Sequence, residues 1–286
     1  MKKNKIYYYF INLFFLAITI FFIIKNGLFK IEQFSNIKVL ISLVLIFIVI
    51  HLFKFFRLYV IALEENMKTV DLFKKYIISL FVNICIPYKV GEVCRMYLIG
   101  NKNKHYVNGI IIVLMDKFFD AIVLSIMLVT ISIINKAEIQ SITILIILFL
   151  LLCFIVFVTF ESTYNYLNTF FITKKENKKS IYALKMLEKI NDIYLSSKKT
   201  IRGRFPLLFL LTLISWGLEC LFVQLTAKFY NIEMNSLAIL NYLNDAFFGG
   251  DNNILSIYIS TGIISIVGIL IIIYIKKIGD RILCKK

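Results

Sequence analysis

Proline and glycine are scarce in this 286-residue chain, at 2 and 11 residues. That excludes collagen-like repeats and flexible or proline-rich linker architectures. Imidazoles are scarcer than catalysis or metal binding would want. His51 and His105 are the two histidines, so neither a Ser–His–Asp set nor a zinc-type cluster has enough to build on. The five cysteines (Cys85, Cys94, Cys153, Cys220 and Cys284) form no CxxC pair and are odd in number. They read as small packing residues and not as a disulfide framework. No GxxxxGK[ST] loop occurs, which argues against ATP-driven work. No metal and no cofactor is expected.

What the chain has in abundance is apolar surface. Sixty per cent of its residues are apolar and its mean hydropathy is +0.83, against about 45–50% for soluble domains. At about 20 residues per membrane-crossing helix, the length accommodates six to eight spans with short loops. A sizeable water-soluble catalytic domain beside them is excluded. The reading is one integral membrane domain over residues 1–286.

Lys and Arg number 33 against 17 Asp and Glu, a net charge of +16. Such an excess can signal nucleic-acid binding, but its placement points elsewhere. Fifteen of the sixteen excess charges fall in four segments: Lys2–Lys5, Lys54–Lys75, Glu161–Arg204 and the stretch after Ile275. All lie between or outside apolar runs, as the positive-inside rule expects of cytoplasmic loops. No nucleic-acid partner is expected.

Along the chain, full spans are read at Ile6–Ile24, Leu40–Phe56, Val107–Ile134, Ser141–Phe160, Phe205–Phe229 and Ile254–Ile275. The first follows MKKNK and lacks a small-residue cleavage site, so it is an uncleaved span with its N-terminus in the cytoplasm. Residues 161–204 form the one hydrophilic insert. Within it Ile181, Leu184, Leu187, Ile190 and Ile193 keep near-helical spacing among lysines, which predicts a surface-lying amphipathic helix.

Two apolar elements are too short to cross. Tyr76–Ile86 stops at Pro87 and resumes beyond Gly91; Ser236–Phe248 stops at Gly249–Gly250. Interrupted segments in both halves point to discontinuous or re-entrant helices and an inverted repeat. The fold class is therefore all-α and polytopic, with about six full spans, two short broken elements and both termini in the cytoplasm.

The first break carries the sharpest cluster: Asn83, Pro87, Lys89, Gly91, Glu92 and Arg95. Pro87 stops a helix, and Gly91 allows a sharp turn or a close approach. A helix restarting near Glu92 would aim its free N–H groups and positive dipole end into the break. Arg95, one turn on, adds a two-pronged donor for phosphate or carboxylate. Only five of the basic residues are arginine, so Arg57 and Arg95 at apolar segments stand out. A polar interfacial loop with snorkelling cations is the plainer alternative.

The second cluster is MDKFFD. Asp116 and Asp120 share a helical face at i, i+4, and Lys117 can pair with Asp120. Asp116 lies roughly 14 Å into its helix at 1.5 Å per residue. Three such charges cost roughly 8–10 kcal/mol on an insertion scale, against roughly 5–9 returned by the apolar residues around them. Insertion is near break-even, so the charges should face the protein interior or water. Either they tie Arg57 or Arg95 in place, or they meet a ligand. Glu219, mid-span, can pair with Lys117, with a cationic head group, or with a neighbouring helix. Asn241, Asn244, Asp245, Asp251, Asn252 and Asn253 make a polar zone at the second break.

The pattern N-x-x-x-P-x-x-x-G-E-x-x-R, on Asn83, Pro87, Gly91, Glu92 and Arg95, is followed by a span bearing Asp116 and Asp120. It resembles the membrane region of the lysylphosphatidylglycerol synthase/flippase family, and Arg57, Trp216 and Glu219 also fit. The resemblance implies a polytopic module that moves an aminoacylated or otherwise modified lipid between leaflets of a bacterial-type cytoplasmic membrane. Its partners would be a phospholipid or lipid-linked intermediate and an envelope-biosynthesis enzyme. In full-length family members a separate soluble domain transfers the amino acid. This chain ends eleven residues after Ile275, so no enzymatic activity is expected. FFGGDNNILS stands where the family has a Pro–Gly-rich turn followed by Glu, and it departs from that pattern. The expected substrate-binding set is Asn83, Pro87, Gly91, Glu92, Arg95, Arg57, Asp116, Lys117, Asp120 and Glu219, with no catalytic residue. A non-transporting accessory protein, or an intramembrane transferase using Glu92 or Asp116 as base, are the alternatives.

Overall fold

The computed structural model describes residues 37–65, 67–86, 90–101, 106–134, 136, 141–173, 178–232, 239, 242–243 and 253–283. The span expected at Ile6–Ile24, together with Pro87, Lys89, His105, Asn241, Asn244, Asp245 and the Gly249–Asn252 break, lies outside these residues. The described chain is helical: α1 (Ile37–Ile61), α2 (Thr69–Cys85), α3 (Val90–Gly100), α4 (Tyr106–Ile134), α5 (Ser141–Thr173), α6 (Lys178–Ile201), α7 (Phe205–Phe229) and α8 (Asn253–Leu283). A 3₁₀ turn, Ala62–Glu65, follows α1. Four of these helices, α1, α4, α5 and α7, are long and apolar enough to cross a membrane, and Asn253–Ile269 of α8 is a shorter apolar stretch. The protein is an all-helical polytopic membrane protein.

Helix α1 shows how a membrane span differs from a surface helix. Leu43, Phe47, Ile50 and Leu58 are buried on one side. Ile37, Ile41, Leu45, Val49, Leu52 and Phe56 recur every three or four residues on the other and are exposed. A helix apolar all round is one that meets protein on one face and lipid on the other. The same logic explains how α4 tolerates its charges. Asp116 and Asp120 belong to its buried stripe with Gly109, Ile112, Phe119, Val123 and Leu128, so they face the interior as the insertion arithmetic requires.

Helix ends follow local chemistry. Hydrogen bonding at the end of α2 runs on to Ile86, whose N–H donates to the Val82 carbonyl at 2.9 Å, just ahead of Pro87. Between α6 and α7, Gly203 adopts φ +80°, a left-handed geometry glycine takes without Cβ strain. Pro206 then sits in the first turn of α7, where no N–H is needed. Asn231 closes α7 with φ +50°, and the Ile232 N–H reaches back to the Ala227 carbonyl at 2.9 Å, a left-handed cap.

The described residues sort into two compact units. One draws on Met1–Phe53, Val70–Arg95 and Gly217–Lys286, with Leu43, Phe47, Ile50, Leu72, Phe222 and Ile266 in its interior. The other comprises Lys54–Thr69 and Met96–Trp216. Within it α4, α5 and α6 pack on one another.

The hydrophilic insert differs from its expected form. Helix α5 does not stop at Phe160 but continues to Thr173. The helix expected around Ile181–Ile193 is present as α6, and it docks back along α5 and α4. The Phe160 and Tyr194 rings stack at 4.6 Å, Lys198 meets Glu161 at 3.4 Å, and Leu187 is buried. The physical reason is the lack of a breaker: residues 161–173 contain no Pro or Gly, so nothing ends α5 where the apolar run stops.

Candidate functional site

In the second unit, charged residues of α1 and α4 converge with polar residues of α7. Arg57, near the end of α1, is 1% exposed. Its Nε donates to Asp116 Oδ1 at 2.7 Å, and Nη2 reaches the same oxygen at 2.7 Å. Nη1 donates to Asp120 Oδ1 at 2.6 Å and to Thr212 Oγ1 of α7 at 3.0 Å. Four of the five guanidinium N–H groups are thereby engaged. Asp120 is shared more widely: Trp216 Nε1 donates to its Oδ1 at 3.0 Å, and Lys117 Nζ meets its Oδ2 at 3.3 Å. The Lys54 ammonium lies 5.3 Å from the centre of the Trp216 ring, a cation–π contact.

Three cations (Lys54, Arg57, Lys117) thus surround two carboxylates, leaving the cluster with one excess positive charge. The Asp116/Asp120 spacing is what puts both carboxylates within reach of one guanidinium. A tie to Arg57, which the sequence allowed, is present, and Lys117 pairs with Asp120 as its i, i+3 spacing predicts. Lys117 is half-buried, its side chain 31% exposed. It forms part of the rim, with Arg57 as the buried anchor.

The first unit holds the remaining expected residues. Helices α2 and α3 meet so closely at Gly91 that a Cβ there would stand 2.2 Å from the Ser79 carbonyl oxygen and 2.5 Å from Asn83 Oδ1. Glycine is therefore a packing requirement at the break. Asn83 Oδ1 is buried and accepts no hydrogen bond. Arg95, 6% exposed, donates from Nε to Ser79 Oγ at 2.9 Å, and its guanidinium lies 4.9 Å above the Tyr76 ring. Both contacts are to α2. Glu92 stands in the first turn of α3, where a carboxylate complements the positive helix end. That end thus carries its own counter-charge.

Glu219, 6% exposed, accepts from the Tyr258 hydroxyl at 3.5 Å. Tyr258 lies 3.2 Å from His51 Nε2, and Tyr76 lies 2.9 Å from His51 Nδ1. Of the partners considered for Glu219, a neighbouring helix supplies this one, through Tyr258 of α8. Sequence reading passed over Thr212, Ser79, Tyr76, His51 and Tyr258. The one available signal was His51, an imidazole in the middle of an apolar span.

Among the described residues no group of three or more His, Cys, Asp or Glu could hold a metal ion. No curated protein and no solved structure matches the chain. A family model does. The model described as "Lysylphosphatidylglycerol synthase TM region" matches residues 9–250, a stretch that contains the first break, the Arg57 cluster and Glu219. This membrane protein belongs to the lysylphosphatidylglycerol synthase TM region family.

Proposed function

We propose that this protein binds the anionic head group of a phospholipid or lipid-linked intermediate and carries it across a bacterial cytoplasmic membrane. The observation that carries the reading is the Arg57 cluster: a buried guanidinium neutralising two carboxylates, with Lys54 and Lys117 leaving a net charge of +1. Ionisable groups within membrane spans are costly and mark ligand or ion pathways. A cluster that satisfies its own acids and keeps cations at the rim is suited to a phosphate. Arg57 positions the carboxylates and Lys117; Lys117 and Lys54 meet the head group. Asn83, Gly91, Glu92 and Arg95 at the α2–α3 break shape a second polar stretch along the lipid's route. On this reading both termini face the cytoplasm and the chain performs no aminoacyl transfer itself.

The test is leaflet exchange in proteoliposomes carrying fluorescent phosphatidylglycerol or lysylphosphatidylglycerol. The parent chain accelerates exchange, and Lys54→Gln with Lys117→Gln abolishes the acceleration while the protein stays folded. Unchanged exchange in the double variant rejects the assignment. Head-group binding without any exchange would favour the accessory-protein reading. Product formed from aminoacyl-tRNA and lipid by the purified chain would favour a transferase.

A further inference from the structure

We propose that Tyr76, His51, Tyr258 and Glu219 form an intramembrane proton path that ends on the Glu219 carboxylate. This inference goes beyond lipid carriage and does not depend on it. The four residues come from four helices, α2, α1, α8 and α7, and join in one line of contacts of 2.9, 3.2 and 3.5 Å. His51, Tyr76 and Glu219 are each less than a tenth exposed. His51 is fourteen residues past Ile37 and Glu219 fourteen past Phe205, each about 21 Å along its helix at 1.5 Å per residue. Both ionisable groups therefore sit mid-helix, where such groups mark proton relays and ion routes.

Aromatic rings pack around the line. Phe47 lies 4.3 Å from the His51 ring and 5.2 Å from the Tyr258 ring, and Phe222 meets Tyr258 edge-on at 5.3 Å. Among the described residues, titratable groups facing it include Arg95 of α3, above the Tyr76 ring, Cys220 beside Glu219, and Tyr242, whose ring is 6.1 Å from that of Tyr258.

With the imidazole proton on Nε2, donation runs one way: Tyr76 O–H to Nδ1, Nε2–H to the Tyr258 oxygen, and Tyr258 O–H to Glu219 Oε1. An excess proton delivered to the Tyr76 oxygen moves along by three shifts. Tyr76 gives its own proton to Nδ1, Nε2 gives its proton to Tyr258, and Tyr258 gives its proton to Glu219. Each phenol ends with one proton, the imidazole ends neutral as the other tautomer, and the carboxylate becomes a carboxylic acid. One proton enters, one negative charge is lost, and nothing is oxidised or reduced.

The experiment is a pH jump followed by time-resolved infrared spectroscopy on the full chain in lipid nanodiscs, with no added substrate. The expected result is a carboxylic C=O band that rises on acidification and is absent in Glu219→Gln. If that variant fails to fold, Glu219→Asp shifts the band's frequency. Tyr258→Phe and His51→Gln, both checked for parent-like folding, slow the rise by about a hundredfold, the scale of a lost positioned proton carrier. A purely structural role would leave that rate unmoved. A band that persists in Glu219→Gln or keeps its frequency in Glu219→Asp, or a rise as fast in Tyr258→Phe as in the parent, overturns the proposal. Because no lipid transport is read, failure here leaves the exchange assay untouched.

Discussion

Removing the Arg57 side-chain charge as Arg57→Met is the most informative perturbation of the fold. Methionine fills much of the same volume, so the change is chiefly electrostatic. Arg57 serves Asp116 through Nε and Nη2 and Asp120 through Nη1. Breaking one buried ion pair costs about 3–5 kcal/mol, because it leaves an uncompensated charge out of water. Two carboxylates are affected here, but unequally. Asp120 keeps Trp216 Nε1 at 3.0 Å and Lys117 at 3.3 Å, whereas Asp116 loses both guanidinium contacts. The expected loss is therefore about 3–5 kcal/mol in total and not twice that figure. Adding Asp116→Leu to Arg57→Met removes the carboxylate that lost both guanidinium contacts, and more than half of the loss should return. The assay is reversible unfolding in mixed micelles, comparing the two variants with the parent. A loss below about 1 kcal/mol for Arg57→Met, the range of solvent-exposed pairs, would refute the claim that Arg57 anchors a dry charge cluster.

Four further outcomes are expected from the same unfolding measurements. Gly91→Ala forces a Cβ to 2.2 Å from the Ser79 carbonyl oxygen, and backbone must move, for a cost of about 1–3 kcal/mol or more. Gly262→Ala meets the Ile84 Cδ1 atom at 2.7 Å, the tip of a flexible side chain, and should cost less than Gly91→Ala. Gly217→Ala meets nothing within 4 Å, so helix propensity alone acts and stability should hold or rise by up to about 1 kcal/mol. Trp216→Phe keeps the ring face under Lys54 but removes the donor to Asp120; the expected cost is about 1–3 kcal/mol.

The spans were legible because a bilayer imposes a blunt requirement on composition. Val107–Ile134 and Phe205–Phe229, read from apolar length, match α4 and α7 within a residue. The break before Gly91 was legible because Pro87 and Gly91 constrain the backbone regardless of what surrounds them. The carboxylate pair was legible because an i, i+4 spacing fixes which face two residues share. Which cation they meet was not, since Arg57 lies 59 residues from Asp116 and only tertiary packing selects it over Arg95. The Tyr76–His51–Tyr258–Glu219 line was opaque for the same reason. Each helix contributes one polar residue, with no spacing to detect, and tyrosine is common in this chain, at 16 residues. The true end of α5 was missed because the change from apolar to charged sequence was taken as a change in backbone geometry.

That overrun has a consequence of its own. At 33 residues, α5 is about 50 Å long at 1.5 Å per residue, against a hydrocarbon layer of about 30 Å. Ile142 and Thr143 are its buried residues, while Ile144, Leu145, Leu148, Leu151, Leu152 and Ile155 are exposed. A rod with so much bare apolar surface takes its footing from the oil around it as well as from α4 and α6. Thicker lipid would draw Glu161 and the Tyr194 stack toward the acyl chains, and thinner lipid would push them into water. The α5–α6 hairpin is thereby a gauge of bilayer depth, set by how far its charged half can stand from the hydrocarbon.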